Sequence, residues 1–352
     1  MYIVALNENR MPGVLKYFLI TVFLFGSSRC WAQPVQQSGD HELTLFVIPS
    51  ATPLKWESPA SLYKSFFKGY LCNFLKKEKY LLGHLFISFS SPLLDSTLLT
   101  GMASASKKEK RILYLKDKIG MGILGVAMQG RLDKREDLIK KMEHYSKKNQ
   151  LAFITYRLTE NAARKIIDFY KAFSSVKGSG FSPSTYYGGA FWPRYKNEGA
   201  GCTAFGLAML DLAGQLDEVT DRWNVTVNIP MDIIGGEVND NLRVKSRTIK
   251  KYKDWYEGNG TEEIDYVPFS IYDPSIIFQW IKEQRTSNPD SAPSGFIPSE
   301  RGRVPGLFTD RTKIEVDPAE PVFLERDKNL FFLKPYLESV NSPETIKTST
   351  IK

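Results

Sequence analysis

The stretch Gly199-Ala-Gly-Cys-Thr-Ala-Phe-Gly-Leu-Ala-Met-Leu210 decides how this chain is read. It follows a polar loop containing glycine and proline, and from Cys202 onward it is apolar almost all round. Such a run predicts a short helix buried between other elements rather than one lying on a surface. Gly214 offers its C-terminal stop. A helix beginning near Gly201 places Cys202 in its first turn. There the free amide hydrogens and the positive end of the helix dipole favour a thiolate. Ala200 and Gly201 are small enough to let an acyl group approach. The plainer reading of the same residues is a core cysteine on a core helix.

A cysteine nucleophile needs a base that takes or stabilises its proton near neutral pH, and histidine suits that task. The chain has three histidines. His84 lies within Tyr80-Leu-Leu-Gly-His-Leu-Phe-Ile-Ser-Phe-Ser90, whose alternation predicts a strand ended by Pro92. Leu85, Ile87 and Phe89 then share one face, with His84, Phe86 and Ser88 on the other. His41 begins an earlier strand and His144 sits in a lysine-rich helix, which gives neither an equal context. The absence of HExxH and the scattered histidines argue against a metallohydrolase, and no metal or other cofactor is expected.

Around these two elements the pattern alternates. Strands are expected at His41–Ile48, Arg111–Leu115, Ile123–Gln129 and Leu151–Arg157, with Gly120 and Gly122 in the second connection. Helices are expected from Ser58-Pro59 to Tyr70 and from a capping-box-like Asp133-Lys-Arg-Glu136 toward Lys148. Another should follow the cap residue Thr159, with Ala163, Ile166, Ile167, Tyr170 and Phe173 facing the core. Gly178-Ser-Gly180 and Gly188-Gly189 lack the rest of a phosphate-loop or dinucleotide fingerprint. Beyond Gly214, Trp223–Ile229 reads as a strand, Lys250–Tyr256 as a short helix and Ser275–Ile281 as a helix. Residues 287–325 are rich in Pro, Gly, Ser and charge, and Val322–Leu324 and Leu330–Leu333 could dock as short strands.

Composition bounds the function classes. Apolar residues make up 42% of 352 and aromatics 13%, enough to fill a core. A formal charge of +8 without any zinc-finger spacing or recognition motif gives no ground for nucleic-acid binding. Three cysteines exclude a disulfide-stapled scaffold. Residues 1–32 read as an export signal: Arg10 and Lys16 precede the apolar run Phe18–Gly26, and Cys30-Trp-Ala32 fits cleavage before Gln33. The remaining pair, Cys72 and Cys202, leaves a disulfide open in an oxidising compartment. Basic groups at Lys107–Lys118 and Lys134–Lys148 are diluted by Glu109, Asp117, Glu136, Asp137 and Glu143, the signature of solvated faces. Peripheral association with an anionic envelope stays an option.

Gly83-His84-Leu-Phe-Ile and, much later, Gly201-Cys202-Thr-Ala-Phe205 together resemble the circularly permuted branch of the papain-like NlpC/P60 superfamily. In that branch a strand-borne Gly-His precedes a helix-start cysteine. The Tyr156-Arg-Leu-Thr159 strand end, the helix after it and the aromatic loop before Cys202 extend the likeness over roughly residues 40–240. Gly201 departs from it, since many members carry Asn there. The resemblance implies an α+β fold: a papain-like domain over 33–285 with an antiparallel sheet packed on the cysteine-bearing helix, and 286–352 as a C-terminal extension. It implies Cys202 as nucleophile and His84 as general acid–base. For the third polar group that orients the histidine, Gln129 is the first choice, ending a strand soon after that of His84. Asp95 and Asp133 are the alternatives, Asp133 being already accounted for as a helix cap. Tyr186 or Tyr187 would assist the Cys202 N–H in holding an oxyanion. Phe181, Tyr186, Tyr187, Phe191, Trp192 and Tyr195 would wall the substrate cleft, and Arg194 and Lys196 would attract a carboxylate. The expected protein is an exported thiol amide hydrolase or acyltransferase, periplasmic or extracellular, acting on a cell-wall peptide or a lipid acyl group. A non-catalytic papain-like binding module is the alternative, and an envelope protein with both residues buried is a third.

Overall fold

The first strand, β1 (His41–Ile48), is buried from Leu43 onward and is flanked on both sides. It pairs antiparallel with β2 (His84–Ser90) and with β6 (Ala152–Leu158). Between β2 and β6 the chain forms β3 (Leu98–Thr100), β4 (Met102–Ser104) and β5 (Met128–Leu132). Later come β7 (Tyr186–Tyr187), β8 (Asn224–Pro230), β9 (Tyr266–Tyr272), β10 (Ile297–Arg301) and β11 (Val304–Asp310). The computed structural model describes residues 39–76, 82–176, 181–286, 295–328 and 330–341, all within one unit, Gln37–Lys352. The expected export signal at 1–32 lies outside the described residues, as do residues 80–81 of the expected second strand.

The helices are α1 (Pro59–Lys76), α2 (Lys107–Arg111), α3 (Arg135–Ser146), α4 (Glu160–Ser174), α5 (Cys202–Leu212), α6 (Glu218–Asp221), α7 (Ser246–Ile249), α8 (Pro274–Thr286) and α9 (Lys334–Asn341). Among the described residues none is long and apolar enough to cross a membrane. The six-stranded sheet has the order β10-β11-β6-β1-β2-β3. The fold is α+β, but the sheet is mixed rather than antiparallel throughout, because β11 runs parallel to β6. Some 145 residues with their own helices separate those two strands, so no hairpin fixes their direction.

Strand alternation assigns the two faces. Leu43, Leu45, Leu85, Ile87, Phe89 and Ile154 pack against Phe169 and Phe173 of α4, Phe205 and Leu207 of α5, and Ile277 and Ile281 of α8. Phe46, Phe86 and Phe153 point the other way, onto Leu138 and Tyr145 of α3. The face assignment expected around His84 therefore holds. Thr159 caps α4 through the Ala162 N–H. Gly214, at φ +66°, follows the end of α5. A second core gathers the β8–β9 hairpin (Val227, Ile229, Phe269) with Leu62, Met121 and Ile249.

Several local expectations give way to tertiary packing. Arg111–Leu115 is helical, running from α2 into a π turn over Ile112–Asp117, with Tyr114 stacked on Tyr63 and tilted against Phe66 of α1. A short apolar run fits strand or helix equally well, and here the aromatic contacts decide. Met121–Leu124 is a 3-10 turn, so the next strand begins only at Met128. The helix expected at Lys250–Tyr256 is instead α7, one turn earlier. The segment expected as an extension supplies β10 and β11 to the central sheet, so 285 is not a structural boundary. Leu324 makes one bridge, to Tyr195, while Phe331–Leu333 is a 3-10 turn leading into α9.

Candidate active site

Cys202 is the first residue of α5, capped by the extended Gly201 with no side-chain cap. No cap side chain therefore competes for the amides of the opening turn. The helix lies close on β2 because Gly206 permits it: a Cβ there would stand 2.3 Å from Leu85 Cδ2. On the strand, Gly83 holds a left-handed φ of +75°, and a Cβ would come within 2.9 Å of the Ile48 carbonyl. That turn delivers His84 opposite Ile48, at the end of the β1–β2 ladder. β3 pairs with β2 only as far as Ile87, which leaves the strand edge at Leu85 open toward α5.

The two expected partners meet. The Cys202 sulfur is hydrogen-bonded to the His84 ring, to the Leu85 N–H and to the Tyr187 hydroxyl. The thiol is free, not in a disulfide, and the side chain of Cys72 lies outside those described. Burial pushes the thiol up, but His84, the Leu85 N–H and Tyr187 outweigh it and bring the group down from 9.0 to about 7. For His84, burial disfavours the cation, while hydrogen bonds to Asp133 and to Cys202 more than compensate, so its affinity for a proton is raised.

Asp133 is the residue that orients the histidine. His84 Nε2 donates to Asp133 Oδ2 at 2.8 Å, with both side chains buried. The other carboxylate oxygen accepts from Lys141 Nζ at 3.0 Å. Burial raises the Asp133 carboxyl, but the hydrogen bond and charge of His84, then the charge of Lys141, hold it below the ordinary range. Its backbone is pinned to the β3–β4 corner: Asp133 N–H donates to Gly101 O at 2.7 Å and Thr100 Oγ1 donates to Asp133 O at 3.3 Å. The expected capping role is wrong. Lys134 occupies the cap position of α3, and the Asp133 carboxylate is taken up by His84 and Lys141.

Gln129 does not take that place. Its side chain is exposed, and its backbone N–H donates to the Glu109 carboxylate at 3.0 Å. In β5 the buried residues are Met128 and Gly130, so Gln129 alternates outward.

The aromatic loop divides. Tyr187 faces the thiol and also accepts a hydrogen bond from the Cys202 N–H. Its position follows from Ala200 N–H donating to Tyr186 O at 3.2 Å, which ties β7 to the approach of α5. Trp192 lines the cleft and lies 6.1 Å from the Tyr272 ring. Tyr186 turns elsewhere, its ring 5.7 Å from Phe181 and 4.7 Å from Tyr336 of α9. Arg194 is a structural clamp, not a substrate contact. It is 1% exposed, donates to Val322 O at 2.9 Å and Pro321 O at 3.2 Å, and pairs with Asp211 and Glu320. Lys196 pairs with Glu325 on the surface.

Cys202 and His84 open on a cavity of about 1810 Å³ between the main sheet and the β8–β9 core. Phe66 and Tyr63 from α1 and Met121 and Leu124 from the 3-10 turn form apolar walls. Lys107, Lys108, Lys110 and Arg111 of α2 also line the cavity. Sequence reasoning missed this use of α2, whose charges read as a solvated face. It also discounted Asp133, although Lys141, on the inward Leu138–Tyr145 face of α3, was a signal for a buried carboxylate. Among the described residues no group of three or more metal-type side chains converges. The chain matches no protein-family model, no curated protein and no solved structure.

Proposed function

We propose that this chain is a thiol-dependent acyl hydrolase or acyltransferase in which Cys202 is the nucleophile, His84 the general acid–base and Asp133 its orienting carboxylate. The observation that carries the reading is the relay itself: a lowered thiol at a helix start, bonded to a histidine whose far nitrogen is held by a buried aspartate. With Nε2 committed to Asp133, Nδ1 is the nitrogen left for sulfur.

The Cys202 thiolate attacks the carbonyl carbon of an amide, ester or thioester, and the carbonyl π pair moves onto oxygen. The amides at the start of α5 and the Tyr187 hydroxyl are the groups nearest that developing charge. When the oxyanion collapses, the bond to the leaving nitrogen, oxygen or sulfur breaks. The His84 imidazolium gives its proton to that leaving atom, and a thioester on Cys202 remains. Water or an amine then attacks, losing a proton to His84, and the thiolate departs.

The order of elements, a Gly-His strand before a cysteine-start helix, supports a circularly permuted papain-like scaffold as the finer description of the α+β fold. The leader-like residues 1–32 support export, and with it a cell-wall peptide or lipid acyl substrate met at the envelope. The Asp133 contact favours catalysis over a papain-like binding module, whose main ground was the lack of a third polar group. Labelling with a cysteine-directed electrophile tests the assignment. Cys202→Ala should abolish it and His84→Ala should cut it at neutral pH. Labelling that is indifferent to pH and to both substitutions rejects the enzyme.

A further inference from the structure

Lys110 lies on the last turn of α2 and lines the cavity that holds Cys202. Its ammonium stands 4.9 Å from the centre of the Tyr187 ring, the same tyrosine whose hydroxyl meets the thiol. The side chain is half-buried. Among the described residues no carboxylate pairs with it. The adjacent Glu109 is spent on the Gln129 N–H, at 3.0 and 3.2 Å. Its charge is met by the Tyr187 ring face and by the Cys202 sulfur, so among the described residues no fixed carboxylate stands between this ammonium and an anion entering beside the thiol.

The rest of the cleft agrees in sign and in polarity. Asp137 and Asp273 are the carboxylates of its lining, and Asp273 is already engaged by Trp56 Nε1 at 2.8 Å and by the Ser275 N–H at 2.7 Å. Against these stand eight lysines and arginines; Lys141 and Arg131 face Asp133 and Arg326 is held by Glu198, so the excess rests on the five between residues 107 and 116. Beyond the charges, Phe67, Leu82, Ile112 and Leu115 line the cavity while remaining 41%, 39%, 36% and 51% exposed. Apolar surface of this kind at a cavity mouth marks a site for an apolar ligand group.

Resting on the thiol reading of the same site, we propose that Lys110 forms an anion subsite beside Cys202, so that the acyl compounds accepted there carry a carboxylate or phosphate together with an apolar chain. Lys110 is a specificity residue in this arrangement. It holds the anion on the ammonium beside Tyr187 while the chain runs along the α1 wall, which brings the carbonyl to sulfur.

The first test compares iodoacetate with iodoacetamide on the full chain, reading alkylation at Cys202 by site-resolved mass spectrometry and normalising the ratio to that of a free thiol. The anionic reagent should be favoured. Lys110→Gln should reduce that preference about fivefold at low salt, the scale of removing one charge from a partly solvated site. Lys110→Arg should keep it, and Lys107→Gln, the same charge loss on the same helix, should leave it within about twofold. A preference that survives Lys110→Gln, or falls equally in Lys107→Gln, overturns the subsite. If the sulfur proves no more reactive than a free thiol, the enzyme reading fails by itself. Calorimetry with octyl phosphate, octanoate and octyl glucoside then still decides on the subsite. One anion binding more tightly than the neutral glycoside, and losing that advantage in Lys110→Gln, supports it and identifies the headgroup. Equal binding of all three, or binding of neither anion, overturns it.

Discussion

Asp133 accepts a hydrogen bond from His84 Nε2 at 2.8 Å, and this contact sets which ring nitrogen faces the sulfur. The carboxylate raises the proton affinity of the ring and so stabilises the imidazolium that accompanies a thiolate. Replacing Asp133 by Asn alone would also take its ion-pair carboxylate from the buried Lys141 ammonium, a loss of up to about 3–5 kcal/mol for a broken buried pair. The informative variant is therefore Asp133→Asn with Lys141→Met. It should fold, alkylate at least about tenfold more slowly at pH 6–7, and show a thiol titration moved upward. Gln129→Ala should match the parent in both respects, since its side chain faces solvent.

The pH profile has a definite sign. Below the thiol's folded value of about 7 the sulfur is protonated and alkylation slows. His84 supplies the two largest effects that oppose burial. His84→Ala leaves burial dominant, so the midpoint should climb past the ordinary thiol range instead of merely returning to it. Iodoacetamide rates between pH 5 and 10 check this. A midpoint still near 7 in the variant would remove His84 from the site.

Arg194 should behave oppositely. Its guanidinium closes the 320–324 segment onto the α5 side of the domain through Val322 O, Pro321 O, Asp211 and Glu320. Both carboxylates keep partial solvent access, which softens the penalty. Arg194→Met is expected to cost about 2 kcal/mol, less than a fully buried pair. The measurable result is a lower urea midpoint and faster proteolysis near residues 320–326, with the thiol titration of the folded protein unchanged.

These contrasts mark what could be read from residue order. The faces of β2, the cap at Thr159 and the start of α5 follow from periods of 2 and 3.6 and from a capping residue, all local. His84 and Cys202 were legible because each sits on a strongly patterned element. Asp133 was not, since an acid ahead of a helix satisfies the capping rule as well as it satisfies a histidine. Only the β3–β4 corner, which pins its backbone to Gly101, decides between them. Arg194 failed for a similar reason. Nothing near it in sequence announces that the carbonyls of Pro321 and Val322 will return to it. Lys110 looked solvated because Glu109 stands beside it, yet Glu109 turns to a backbone amide.

Tyr187 and Tyr186 separate by one residue and by role. Tyr187→Phe removes the hydroxyl that lowers the thiol and that meets the Cys202 N–H. The titration midpoint should rise, and turnover of any acyl substrate should fall about tenfold or more if the hydroxyl also supports the oxyanion. Tyr186→Phe should leave both unchanged, because that ring packs on Phe181 and Tyr336.

Gly206 tests whether helix placement, beyond residue identity, sets the reactivity. An alanine methyl there would meet Leu85 Cδ2 at 2.3 Å and Ile87 Cγ2 at 3.3 Å. Leu85 can turn its end aside, but the core around it, including Leu45, is fully buried and close-packed. Relief must come partly from α5 lifting off β2. The overpacking should cost about 1–3 kcal/mol. Because the Leu85 N–H itself bonds the thiol, the same displacement should lengthen that contact and raise the Cys202 titration. Ala208→Gly, two residues onward at a buried helix position, should lower stability by about 1 kcal/mol through helix propensity without moving the thiol. A shift in both variants would tie reactivity to stability in general, whereas a shift in Gly206→Ala alone ties it to the seating of α5 on β2.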